Sequence, residues 1–252
     1  MRAWASIILA ALLPLASAGA STNAPGESQM VTAARLNAQL AVAYLKQGDV
    51  GVAREKIDKA LAQNPKDATV QMSAGLVYER LQEAAKADRH YAAALKLEPG
   101  NPDVQNIYAV FLCRNGHPVE GQKAFEQAAK NPSYSQPEVA YSNAGVCARG
   151  AGDLARAETL FRKALSLRPD FPDALLQLAD LTYAKGGGLG ARALLERYFR
   201  NSPATADALL LAVHVERVLG DAEAATRYQT QLQRDFPDSE QARELRSRAG
   251  GS

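Results

Sequence analysis

Five prolines set a period for most of this chain. Pro65 and Pro99 are 34 residues apart, and the same spacing separates Pro169, Pro203 and Pro237. The gap between Pro99 and Pro169 is 70 residues, which is two periods plus two residues. Self-similarity at this period is typical of solenoids built from helix hairpins, and proline cannot continue a helix. The spacing therefore predicts a stack of hairpins, each followed by a proline.

Small residues recur at fixed places in each unit, where they let two helices cross closely. On the first helices these residues are Ala41, Gly75, Ala109, Gly145 and Ala179, and on the second helices they are Ala53, Ala87, Ala157, Ala191 and Ala225. One hairpin cannot bury its own apolar face, so the units must stack. The pattern resembles the tetratricopeptide repeat (TPR) over about residues 34–238. The resemblance implies an all-α, right-handed superhelical solenoid of about six TPR helix hairpins.

Composition supports closely packed helices. Hydrophobic residues make up 47% of the chain and aromatic residues only 6%, so the apolar side chains are mostly Ala, Leu and Val. The formal net charge is +2, and no run of five or six like charges occurs. Phosphate binding needs a concentrated basic face, so we expect no nucleic-acid partner.

The two ends of the chain lie outside the repeats. Arg2, an apolar run and small residues of the A-x-A type predict a cleaved signal peptide over residues 1–20, and the alternative is an uncleaved anchor. A polar linker is expected at residues 21–33, six TPR units at 34–238, and a short C-terminal helix and tail at 239–252. We therefore expect an exported protein of the periplasm, at the inner face of the outer membrane.

The chain contains two cysteines, Cys113 and Cys147, on the first helices of two successive units. Export to an oxidising compartment and the single possible pairing suggest a disulfide across the longer junction that contains "NPSYSQPE". The alternative is a pair of small buried thiols. Two cysteines are too few for a structural zinc site.

No constellation for chemistry is recognisable. His90, His117 and His214 lie in separate units without metal-ligand spacing. The glycine-rich stretch Lys185–Gly190 lacks the strand and the Lys-Ser/Thr of a phosphate-binding loop, so a turn is expected. We therefore expect no catalytic residue, no cofactor and no metal, and a function in binding.

The surface that remains is the face formed by the first helices. At its N-terminal end Val42, Leu45, Met72 and Leu76 are more apolar than a solvent-exposed face needs, which predicts a groove for a helix or an extended peptide. The alternative is that neighbouring helices or the linker cover them. Later units would contribute mostly polar residues, which include Ser142, Val146, Arg149, Leu176, Asp180, Leu210 and His214.

The middle of the chain is more specific than the repeat itself. The settings "VFLCRNG" and "NAGVCARG" around the cysteines, and the junction between them, resemble the type IV pilus biogenesis and stability family PilF/PilW. The resemblance implies a non-enzymatic, pilotin-like scaffold that helps the pilus secretin reach the outer membrane and form multimers. The expected partner is the secretin or an associated pilus protein.

One feature departs from that family, whose members are typically lipoproteins. No cysteine lies near the expected cleavage region, so we expect no lipid there, and membrane association would need another anchor. The alternative function is a periplasmic TPR adaptor or chaperone for another cell-envelope complex.

Overall fold

The computed structural model of the chain describes residues 25–249, which form two compact units, 25–134 and 135–249. The predicted signal peptide lies outside the described residues. The first unit consists of three helix hairpins, whose helices are α1 (Pro25–Gln47), α2 (Val50–Gln63), α3 (Ala68–Arg80), α4 (Ala84–Leu97), α5 (Pro102–Arg114) and α6 (Pro118–Lys130).

The second unit contains three further hairpins and a final helix. Its elements are α7 (Pro137–Gly150), α8 (Leu154–Leu167), α9 (Pro172–Ala184), α10 (Gly188–Asn201), α11 (Ala206–Leu219), α12 (Ala222–Asp235) and α13 (Glu240–Ala249). Consecutive helices of each hairpin pack against each other, and each second helix packs against the first helix of the next hairpin within its unit. This confirms the prediction of an all-α fold of TPR hairpins.

The periodic prolines do what the sequence predicts. Each lies two residues after the last residue of a second helix, as Pro65 does after Gln63 and Pro99 after Leu97. The third hairpin follows the same rule with Pro132, which the spacing of 34 did not reveal because the next junction is longer. A proline at this place cannot donate a helix hydrogen bond, so it ends the hairpin.

Small residues bring the two helices of each hairpin together. Gly75 on α3 lies against the ring of Tyr91 on α4, so that an added Cβ would be 2.5 Å from a ring carbon. Gly145 and Phe161 repeat the arrangement between α7 and α8, where the corresponding distance is 2.6 Å. Interiors are packed closely, and a large ring on one helix therefore requires a missing side chain on the other.

Equivalent hydrogen bonds tie successive hairpins of the first unit. The Tyr78 hydroxyl donates to Asp58 on the preceding second helix at 2.7 Å, and Tyr108 donates to Asp88 at 2.9 Å. Burial and the Asp58 carboxylate raise the pKa of Tyr78 to about 12, so the hydroxyl keeps its proton. Each bond fixes the angle at which one hairpin leans on the next.

The second unit ends in a helix with one buried face. Ala242 and Leu245 of α13 are buried with Leu209, Val213 and Leu232, and α13 contacts both α11 and α12. Ser239 caps α13 by accepting a hydrogen bond from the Ala242 amide at 3.1 Å, as expected from the sequence. Such a helix covers the last hairpin and turns polar residues outward.

Helix α1 begins earlier than expected. Residues 25–33 were expected to belong to the polar linker, but α1 starts at Pro25 and is 23 residues long. Proline at the first helical position lacks a donor where no acceptor is available, so Pro25 suits a helix start rather than a linker.

Candidate partner-binding surface

The first helices of the hairpins lie side by side within each unit. In the first unit α3 contacts both α1 and α5, and in the second unit α9 contacts both α7 and α11. The second helices provide the other layer. Each unit therefore has one wall made of first helices, which is the surface on which the sequence analysis placed its candidate residues.

The four predicted groove residues differ in exposure. Val42 on α1 is half-buried, and Leu45 on α1 and Leu76 on α3 are half-buried and pack against the core of the first unit. Met72 on α3 belongs to that core and is only 8% exposed. Its side chain is therefore mainly a packing residue, and a partner could reach little of it.

Ion pairs join the first helices of the first unit. Arg35 on α1 contacts Asp67 at 2.7 Å, and Asp67 also caps α3 by accepting a hydrogen bond from the Val70 amide. Glu79 on α3 accepts hydrogen bonds from Arg114 at 3.2 Å and from the Tyr91 hydroxyl at 2.9 Å. The wall is thus held at both ends of α3 by charged contacts that the sequence alone did not indicate.

In the second unit the structure brings two predicted residues together. Arg149 on α7 forms an ion pair with Asp180 on α9 and donates a hydrogen bond to Gln177 at 3.0 Å. Tyr183 on α9 stacks on His214 of α11, with ring centroids 6.5 Å apart. Ser142, also predicted for this face, is buried and offers no surface to a partner.

Both cysteines, Cys113 and Cys147, are disulfide-bonded, and neither is a free thiol. Thiols of this kind persist as disulfides only in an oxidising compartment. The alternative of two buried thiols is not what the structure contains.

His90 lies in a polar network between two hairpins. Its Nδ1–H donates to the Gln71 side-chain oxygen at 2.7 Å, while the Gln71 amide donates to the Pro65 carbonyl oxygen at 2.7 Å. The imidazole stacks on Tyr78 with ring centroids 5.1 Å apart. Burial, and then the charges of Arg89 and Lys86, lower the pKa of His90. The histidine is therefore a neutral structural residue.

Chemistry of other kinds was searched for in the same coordinates. Within residues 25–249, no three His, Cys, Asp or Glu side chains are arranged to hold a metal ion. The glycine-rich stretch at 185–190 forms the turn between α9 and α10, as expected. No helix in this part of the chain combines the length and the apolar character needed to cross a bilayer.

Sequence reasoning missed an open depression on the second helices of the second unit. It has a volume of about 380 Å³ and is lined by Glu196, Phe199, Arg200 and Tyr228. The Phe199 and Tyr228 rings stack with centroids 5.4 Å apart. An aromatic residue on each of α10 and α12 was the available signal, but which aromatic residues meet depends on how the hairpins stack.

Two segments of the chain match models of the tetratricopeptide repeat, at residues 39–102 and 148–198. The type IV pilus assembly protein PilF of Pseudomonas aeruginosa is 27% identical over 209 residues, which are 83% of this chain and 83% of that protein.

Two solved structures are similar over almost their whole length. The crystal structure of PilW, described as a widely conserved type IV pilus biogenesis factor, matches with a TM-score of 0.73 and 31% identity, over 84% of this chain and 97% of that one. A structure of Pseudomonas aeruginosa PilF matches with a TM-score of 0.72 and 26% identity, over 88% of this chain and 99% of that one.

Proposed function

Because this chain belongs to the PilF/PilW family of TPR proteins in type IV pilus assembly, we propose that it is a pilotin-like scaffold of that system. In this role it binds the outer-membrane secretin of the pilus and promotes its localisation and assembly into multimers. The single observation that carries the proposal is the match to PilW, which spans 97% of that chain. The proposed activity is binding, without catalysis.

The wall of first helices in the first unit is the proposed binding surface. Val42, Leu45 and Leu76 are half-buried apolar side chains on two adjacent helices, and Met72 forms the floor between them. A helix or an extended segment that lays apolar side chains along α1 and α3 would remove the exposed parts of these residues from water. We propose that the secretin supplies such a segment.

A gene deletion with complementation tests the proposal. Without the protein, secretin multimers on an unheated gel and twitching motility should both be lost, and the wild-type gene should restore them. A Val42→Glu variant should restore neither, because a carboxylate would have to be buried in the complex. The matched control is Val119→Glu on α6, where the wild-type side chain is 75% exposed and lies on a second helix. Unchanged multimers in the deletion strain would refute the proposal.

Capture of partners separates this function from that of an adaptor for another envelope complex. The secretin should be recovered with the wild-type protein and with Val119→Glu, and should be lost with Val42→Glu. Recovery of only cell-wall or other secretion components would favour the adaptor.

We also propose that the protein acts in the periplasm. The apolar N-terminal run and the disulfide support export, since a disulfide requires an oxidising compartment. Cell fractionation and the intact mass of the purified protein test this location. A protein in the cytosol with residues 1–20 still attached would contradict it.

A further inference from the structure

Helix α1 carries an apolar stripe on the side that faces away from its neighbours. The opposite side lies fully buried in the core of the first unit and consists of Ala34, Ala38 and Ala41. The outward side includes Leu36, which is 55% exposed, and Leu40, which is 37% exposed. Ala43 is exposed and Ala33 is half-buried on the same side. Two leucines so close together on a water-facing helix are a surface that calls for a partner.

The stripe has the same pattern in both chain directions. Its members follow one another at steps of four, three, four, three and four residues, and they are Gln29, Ala33, Leu36, Leu40, Ala43 and Gln47. Steps of three and four are those of a two-helix coiled-coil seam. Because the order is a palindrome, an antiparallel copy of α1 would place Leu36 against Leu40, Ala33 against Ala43 and Gln29 against Gln47.

Charges do not oppose such a pairing. The two positions nearest the twofold axis would be Asn37 and Gln39, each facing its own copy, and Lys46 would face Thr32. Between residues 28 and 47 the only other charged side chain is Arg35, which is engaged by Asp67 at 2.7 Å. Like charges across a seam are what usually forbids self-association, and this seam has none.

We propose that this face of α1 binds the same face of a second copy of the chain in an antiparallel, twofold dimer. A foreign helix would bind such a stripe without needing it to be a palindrome, whereas a twofold contact requires self-complementarity. A contact of two helices over about three turns buries on the order of 800 Å² in total, less than a standard stable interface. The dimer is therefore weak and depends on concentration.

Sedimentation equilibrium of the mature protein tests the proposal. The wild type should dimerise with a dissociation constant on the order of 10–100 μM. Leu36→Glu/Leu40→Glu should weaken dimerisation at least tenfold, because four carboxylates would meet in the seam. Val119→Glu, which changes an exposed valine elsewhere, should behave as the wild type, and circular dichroism should show all three proteins folded.

A photoreactive amino acid at Gln39 gives a second measurement that does not depend on the leucine variants. It should yield a dimer in which residue 39 is joined to the α1 peptide of the other copy. A monomer at all concentrations, a dimer that the double variant leaves intact, or cross-links outside α1 would each overturn the proposal. Binding of a different protein to this face by a monomeric chain would overturn it as well.

Discussion

Gly121 on α6 lies directly against the sulfur of Cys113 on α5. A Cβ atom at residue 121 would overlap Sγ of Cys113 and would lie 2.9 Å from the carbonyl oxygen of Ala109. The equivalent residue of the other hairpins is alanine, as in Ala53, Ala87 and Ala157. The glycine that looks unfavourable in a helix thus makes room for the disulfide.

Gly121→Ala should lower the free energy of unfolding by about 1–3 kcal/mol, because an added methyl group in a packed site forces its neighbours apart. Unfolding in urea, followed by circular dichroism, measures the change. Gly51→Ala on α2 is the control, since its Cβ would meet only a side-chain oxygen of Asp49 at 3.9 Å. That variant should be neutral or more stable, and equal effects of the two substitutions would contradict the packing argument.

The penalty at residue 121 should also depend on the sulfur. In a Cys113→Ala/Cys147→Ala background, Gly121→Ala should cost less than in the wild type, because Sγ is gone while the Ala109 carbonyl remains. A double-mutant cycle gives the coupling energy. A cost that does not change would assign the whole effect to the backbone contact.

Loss of the disulfide should destabilise the protein by about 3–4 kcal/mol, as expected for a loop of this length in the chain-entropy description. The cysteines are 34 residues apart. Cys113→Ala/Cys147→Ala should therefore melt at a lower temperature than the oxidised wild type and should no longer respond to reductant. An oxidised wild type that melts at the same temperature as the double variant would contradict this prediction.

Stability should fall in acid partly through His90. The pKa of His90 is lowered in the folded protein, so the unfolded chain binds a proton more readily. The stabilisation is complete above the ordinary value near 6.5 and is lost as the pH falls below it. Unfolding free energies between pH 5 and pH 8 should show a smaller slope for His90→Gln than for the wild type. His117→Gln, in the exposed turn before α6, serves as the control and should keep the wild-type slope.

Gln82 occupies a strained turn between α3 and α4. Its φ is 62°, whereas the turns of the other five hairpins place glycine in this conformation, with φ between 79° and 87°. A left-handed backbone costs a residue with a Cβ about 1 kcal/mol. Gln82→Gly should therefore raise the midpoint of urea unfolding, with an unchanged slope. A lower midpoint would mean that the glutamine side chain stabilises the turn.

The repeat is predictable because a few residues decide it. Alanine or glycine at the helix crossing and proline after each second helix follow from close packing and from helix termination, and both can be recognised in the sequence. The side chains that join hairpins were harder to predict. Asp58 meets Tyr78, and Arg149 meets Asp180, only because of the angle between stacked hairpins, which the sequence does not state.

Two local predictions failed for physical reasons. Met72 was assigned to a groove because it is apolar on a first helix, but at this position the side chain turns into the core of the first unit. Residues 25–33 were assigned to a linker because they contain proline, glycine and serine, although Pro25 occupies the one helical position that favours proline. In both cases residue type was used where position along the helix decides.

The last helix has consequences for how large an assembly can become. Its outward residues include Arg243, Arg246 and Ser247, all exposed, so nothing greasy is offered at that terminus. A fibre would need adhesive surfaces at both extremities of every subunit, and this chain has such a surface on α1 alone. Once two molecules have joined there, their stoichiometry is closed at two, and crowding in the cell envelope cannot drive them into an endless polymer.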